Sequence, residues 1–214
     1  KYIGTFSEDE LDDDRLISLM VGRKIEYTVF KKRKIDDIIF EAKHLSKEGN
    51  FKDISFSLSR GEIVGLTGLV GAGRSELAQA IFGLDPFDSG ELFLNGKQIQ
   101  IDSPEHAVQN GISYIPENRL TEGLILKKPM DENICITILP KISDKRGLII
   151  QEKKNQLVDT WINKMQIRPK IPPMIASKLS GGNQQRVVLS KWLATDPKIL
   201  IVDEPTNGID IGAK

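Results

Sequence analysis

The chain has 214 residues, and its 30 Lys plus Arg are balanced by 30 Asp plus Glu, so no net charge draws it to nucleic acid or to an anionic lipid surface. That length holds one domain of ordinary size plus an appendage. A single cysteine, Cys135, excludes a disulfide framework and fits a reducing compartment; no apolar run approaches the roughly 18 residues of a membrane span, and no signal peptide is visible. Any membrane role is expected to be peripheral, and a chain that starts at Lys1 rather than Met is expected to be an excised piece.

From the N-terminus, an acidic run from Glu8 to Asp14 overlaps a short amphipathic stretch (Leu11, Leu16, Ile17, Leu19, Met20) that stops at Gly22. A basic cluster, Lys31–Lys34, follows, and the whole stretch reads as a solvated linker. Between Ile38 and Thr67 apolar residues alternate, with Phe51, Ile54, Phe56 and Leu58 at strand positions, and Glu62–Thr67 reads as a buried strand. The loop Gly68, Leu69, Val70, Gly71, Ala72, Gly73, Arg74, Ser75 comes next. Leu77, Ala78, Ile81 and Phe82 then recur at helical spacing, with Gly83 where a helix ends in left-handed backbone. Strand, glycine-rich loop and helix form the context of the phosphate-binding pattern G-x-x-x-x-G-K-[ST]. Its glycines turn main-chain N–H groups toward phosphate oxygens, and the helix N-terminus adds partial positive charge. Ser75 holds the hydroxyl position suited to Mg²⁺, while Arg74 stands at the lysine position. A glycine-rich turn without a ligand is the alternative on pattern alone.

Gly90–Ile101 reads as a hairpin around Asn95-Gly96, a type I′ turn signal. Ser103 and Pro104 start a short helix that Gly111 ends, and Ile112–Ile115 is a buried strand. Pro116-Glu117-Asn118-Arg119 behind it either faces a ligand or forms a plain loop. From Leu120 to Lys178 prolines are scattered, and one clear helix buries Leu157, Val158, Trp161, Ile162 and Met165, as expected of a helical insertion in an α/β core.

Leu179-Ser180-Gly181-Gly182-Asn183-Gln184-Gln185 then opens a helix with the apolar stripe Val188, Leu189, Trp192 and Leu193. Serine and glycines at a helix start repeat the phosphate-gripping design. Lys198–Val202 is a continuous apolar run, as expected of a central parallel strand buried on both faces, and it delivers Asp203 and Glu204 at its C-terminal end, where ligands sit in open α/β sheets. Adjacent carboxylates there repel each other unless a cation or water network holds them. Asp203 suits Mg²⁺, and Glu204 suits activation of water.

The glycine loop, LSGGNQQ and the apolar-Asp-Glu strand, in this order and spacing, resemble the ATP-binding cassette (ABC) ATPases from about Ile38 to Lys214. GLVGAGRSE, YIPENR, LSGGNQQRVVLSKWLATDP and DEPTNGIDIGAK are similar to the C-terminal cassette of fused, two-cassette ATPases that drive ribose-, galactose- and xylose-type importers. The resemblance implies an α/β fold: a P-loop NTPase with a RecA-like core, an antiparallel β-subdomain and an α-helical signature subdomain at about 120–190, truncated at the C-terminus before the strand and switch histidine that follow in the family. Residues 1–37 would be the end of a preceding cassette and a linker, with Lys1–Phe6 as its closing strand, Leu19–Arg23 as the joint, and 38–214 the ATP-binding domain.

It further implies ATP and Mg²⁺ as cofactors. Gly68 through Ser75, with Glu76, would hold nucleotide, as would Ser180, Gly181, Gly182 and Gln184 of the signature; Ser75 and Asp203 would hold the metal. The catalytic residues would be Glu204, as the base, and Glu117, at the Q-loop, and Gly208–Asp210 would be the D-loop. Implied partners are an N-terminal cassette of the same polypeptide, membrane permease subunits and, indirectly, an extracytoplasmic sugar-binding protein, with no nucleic acid; the implied location is the cytoplasmic face of the membrane.

Departures weaken this chain's own nucleotide site. Arg74 puts a planar fork where the family has an ammonium, Glu117 puts a carboxylate where it has Gln, and no Tyr precedes Phe51 at the adenine-stacking position. The undamaged signature then suggests a contribution in trans: Ser180, Gly181 and Gly182 would complete a competent site on the other cassette. As an isolated piece the chain is expected to bind nucleotide poorly and turn it over negligibly. A soluble ABC ATPase without a membrane partner and a noncatalytic nucleotide-sensing module stay open as alternatives.

Overall fold

The computed structural model describes residues 37–205, together with 3–7, 11, 12, 15, 16, 18 and 19. The basic cluster Lys31–Lys34, most of the expected joint Leu19–Arg23 and the expected D-loop Gly208–Asp210 lie outside the described residues.

An antiparallel sheet is ordered β2-β1-β3-β4, from β1 (Ile38–Lys47), β2 (Phe51–Ser59), β3 (Ser89–Leu94) and β4 (Lys97–Ile99). Register places Ala42 between Phe56 and Leu92, so the alternating apolar residues share one face. His44, at φ 53, interrupts the ladder and brings Leu45 back to the buried face, as a bulge does. The expected turn joins β3 to β4, with Asn95 at φ 50 and Gly96 at φ 75.

A second, parallel pair consists of β5 (Ile112–Ile115) and β6 (Ile199–Val202). The period of two divides the core here: Ile112 and Tyr114 join the cluster under the antiparallel sheet, whereas Ile115 joins the cluster of the helical region. Helix α1 (Arg74–Phe82) packs in the first cluster through Leu77, Ala78, Ile81 and Phe82, and α2 (Pro104–Gln109) starts at Ser103 as expected, its Oγ accepting the His106 N–H.

The region from Leu120 to Lys178 holds more helix than its prolines suggest: α3 (Met130–Cys135), α4 (Leu139–Ile142) and α5 (Gln151–Lys164), which buries Val158 and Ile162. Helix α6 (Gly181–Leu193) lies between α3 and β5, and the Trp192 ring meets Phe82 edge-on at 5.4 Å to join the two clusters.

Three sequence expectations need correction. Glu62–Thr67 lies in neither sheet, and Ile63 is 93% exposed, because no strand partner for this segment exists among the described residues. For the same reason β6 is buried on one face only: Ile199 is buried while Leu200 and Val202 stay exposed, and β5 is its sole ladder neighbour there. The buried stripe of α6 is also rotated. Gln184, Gln185, Val187, Val188, Ser190 and Lys191 are the buried positions, and Leu189, Trp192 and Leu193 are partly covered. A helix flanked on two sides buries polar side chains at least cost where they find carbonyls, as three of the four here do: Gln184, Ser190 and Lys191 each donate to one.

Candidate functional site

The glycine loop ends in a helix as its pattern requires. Gly71 and Gly73 take φ values of 79 and 80, and Gly73 occupies the N-cap of α1 without any side-chain cap. A Cβ on Gly73 would sit 2.5 Å from Asn50 O, so only glycine fits between this turn and the start of β2. The loop itself is open: Gly68, Leu69, Val70, Gly71 and Ala72 are all exposed, and Arg74, Ser75 and Glu76 are half-buried in the first helical turn. Uncapped N–H groups beside an open loop suit an anion.

The loop meets the end of β6. Arg74 Nη2 lies 3.8 Å from Glu204 Oε1, which joins the two motifs that are farthest apart in the chain. Glu204 holds φ 38, an unusual backbone for a non-glycine residue. Asp203 is anchored by its main-chain N–H to Ile115 O at 2.9 Å, and Tyr114 donates its hydroxyl to Asp203 Oδ2 at 3.3 Å. Burial, and then the Asp203 carboxylate, push the Tyr114 phenol well above its ordinary pKa, so it remains a donor.

Glu117 is exposed just past β5, and Asn118 behind it caps a π-helical turn, Arg119–Gly123, by accepting from Leu120 N and Thr121 N. That turn lies against one stripe of α6. Arg119 Nε reaches Gln184 Oε1 at 3.5 Å, Gly123 abuts Val188, and the Lys191 ammonium donates to Gly123 O. Spacings of four and three residues put Gln184, Val188 and Lys191 on one helical face. Gln184 thus points inward, its amide also donating to Ala176 O at 3.2 Å.

At the other end of the signature, Ser180 is the N-cap of α6 by position and is exposed, with half-buried Gly181 and Gly182 behind it. Its Oγ caps no main-chain N–H but accepts from Asn183 Nδ2 at 2.9 Å. Phe51 is buried in the core beneath the sheet and cannot present its ring as a stacking surface.

The predicted residues therefore form separate groups. Arg74, Asp203 and Glu204 converge at the end of the parallel strands, while Leu179 packs in the other cluster and Ser180–Gln184 begins the helix on it. Sequence reasoning gave no individual role to Tyr114, Arg119, Asn183 or Lys191, although Arg119 and Asn183 lie within motifs it named. A strand tyrosine one residue before the strand end, and a lysine inside an apolar helix stripe, were the available signals for two of them.

Among curated proteins, this chain is 43% identical over its whole length to "Ribose import ATP-binding protein RbsA" of Bacillus subtilis (strain 168). Its identity to the protein of the same name from Clostridium tetani is also 43%. Identity is 40% to the "Putative ribose/galactose/methyl galactoside import ATP-binding protein 1" of Agrobacterium fabrum. The chain spans 43% of the length of each. Among solved structures, a nucleotide-free ATP-binding cassette from an ABC transporter matches with TM-score 0.69 at 22% identity, over 83% of this chain and 73% of that one. A dimeric cassette bound to ADP and Pi, in a post-hydrolysis state, matches with TM-score 0.68 at 23% identity, over 82% of this chain and 78% of that one. These likenesses establish the P-loop NTPase fold. The ABC transporter family model matches residues 51–207, a span that holds the glycine loop, the signature and the Asp203–Glu204 strand end described above, and the chain belongs to that family.

Proposed function

We propose that the chain is the ATP-binding and ATP-hydrolysing domain of a sugar importer, and that it lends its signature in trans to the nucleotide of a companion cassette. The carrying observation is the approach of Arg74 to Glu204, which sets a cation at the phosphate-binding loop beside the carboxylate suited to activate water. The residues fit the cofactors: the Ser75 hydroxyl and Asp203 carboxylate are hard oxygen donors of the kind Mg²⁺ takes, and the open loop offers N–H groups to phosphates. When bound, Mg²⁺ would neutralise phosphate charge. An ion pair as exposed as Arg74–Glu204 is worth only about 0–1 kcal/mol, so phosphate readily takes its place on Arg74 and leaves Glu204 to accept a proton from water.

A guanidinium in place of an ammonium, and Glu117 in place of Gln, slow this chain's own site, while Ser180, Gly181 and Gly182 stay intact for a companion's nucleotide. Relatives more than twice as long support a companion cassette within one polypeptide. No helix among the described residues is long and apolar enough to cross a membrane; the import ATP-binding role in the names of its relatives supports a peripheral place on the cytoplasmic face of a permease. An apolar cleft of about 390 Å³, lined by Ile125, Ile136 and Leu139 and by Lys128 paired with Glu132 and Lys154 paired with Asp131, suits docking of a permease segment. The permease in turn would meet a sugar-binding protein outside the membrane.

The test uses the complete protein with its permease. Ser180→Arg should abolish most ATP turnover, whereas Arg74→Ala should remove a minor share; equal losses would refute the asymmetry. Glu204→Gln should remove this chain's share of turnover while nucleotide binding persists, and unchanged turnover would favour a noncatalytic sensor.

A further inference from the structure

We propose that Asn183 is a positioning residue that aims the Ser180 hydroxyl proton outward, making Ser180 a donor to a nucleotide phosphate oxygen. This rests on the reading of Leu179–Gln185 as a segment that grips nucleotide, and adds to it a residue that does not itself touch the ligand.

Orientation of the Asn183 amide follows from its other partner. Asn183 Oδ1 accepts the Arg168 main-chain N–H at 2.8 Å. A main-chain N–H only donates, so the amide oxygen must face Arg168 and the NH₂ group must face Ser180. Asn183 Nδ2 lies 2.9 Å from Ser180 Oγ, and an amide nitrogen has no lone pair to offer. Ser180 is therefore the acceptor in this contact, and its own hydrogen points elsewhere.

Nothing in the helix claims that hydrogen's oxygen for capping. Ser180 sits at the N-cap, yet its Oγ accepts no main-chain N–H of α6; its carbonyl, by contrast, accepts the Gln184 N–H at 2.8 Å. Ser180 is exposed at the helix start, so a hydrogen turned away from Asn183 has open space to point into. A hydroxyl that accepts one hydrogen bond becomes a stronger donor in the next, because the two bonds polarise each other. The arrangement thus offers a donor to an anionic oxygen, with the orientation of the hydroxyl hydrogen toward Asn183 already excluded.

Asn183→Asp separates this role from a structural one. Aspartate keeps an oxygen for Arg168 N but replaces the donor facing Ser180 by an acceptor, so the hydroxyl turns inward to the carboxylate. In the complete protein with its permease, kcat for ATP turnover should fall on the order of tenfold to hundredfold, the scale of one lost hydrogen bond to a charged group. KM should change little, since the glycine loops that hold the phosphates are untouched. Ser180→Ala should lose a similar factor. In the Ser180→Ala background the added loss from Asn183→Asp should shrink at least tenfold, the residue being the effect of a new charge near phosphate.

If Asn183→Asp costs the same with and without Ser180, or is silent while Asn183→Ala is costly, Asn183 is merely a tether for Arg168 and the proposal is overturned. If Ser180→Ala is itself silent, the reading of the signature fails first, and the proposal with it. Should Asn183→Asp not fold, Asn183→Ala measured with and without Ser180→Ala supplies the same comparison.

Discussion

Lys191 carries its charge where water barely reaches, and that has a measurable consequence. The residue is 8% exposed on α6, its ammonium donates to Gly123 O, and the Trp192 ring centroid lies 5.0 Å away. Desolvation lowers its pKa from the ordinary 10.5 to about 8. Below pH 8 the lysine is protonated both folded and unfolded, and the full cost of burying the charge is present. As pH rises from about 8 toward 10.5 the folded protein releases this proton while the unfolded chain still holds it. The unfolded state then binds more protons, so this group raises stability with pH across that window. The shift corresponds to about 3 kcal/mol when fully developed. Lys191→Met has no such titration. Urea unfolding of both proteins at neutral and at strongly alkaline pH should show the native protein gaining about 3 kcal/mol on the variant. Other groups, such as the Cys135 thiol that burial pushes up to about 11, cancel in this difference. An offset that stays constant through the window would refute the assignment of a charged, desolvated lysine.

Further outcomes follow from the same contacts. Gly123→Ala would put a methyl 2.9 Å from Val188 Cγ2, and the stiff valine cannot swing away; unfolding should show a loss of about 1–3 kcal/mol, and an unchanged midpoint would mean the turn is not held against α6. Gly73→Ala meets Asn50 O at 2.5 Å in left-handed backbone, so nucleotide binding at this loop, followed by equilibrium titration, should be lost. Arg74→Lys restores a compact ammonium, and in the complete protein it should raise this chain's share of ATP turnover on the order of tenfold; a fall would mean that the fork is the better fit here.

Much of the site was legible along the chain because phosphate recognition is a local affair of main-chain geometry. Glycines at Gly71 and Gly73 announce left-handed backbone, and a helix started by Arg74 follows directly; neither needs a distant partner. Strand alternation around Ala42, the Asn95-Gly96 turn and the Ser103 cap are equally local, and each is found where its residues indicate. Glu62–Thr67 shows the limit of such signals. An apolar run has strand character on its own, but a strand exists only where a neighbour takes its N–H and C=O groups, and the described residues supply none.

Sequence by itself determined the family motifs, their order and the chemistry available at Ser75, Ser180, Asp203 and Glu204. Tertiary structure decided which of these meet: it set Arg74 against Glu204, turned Gln184 inward, sank Phe51 into the core and hung Asn183 between Arg168 and Ser180. The physical reason is that a side chain's type is written at its own position, whereas the donor or acceptor that orients it comes from a segment folded in from elsewhere.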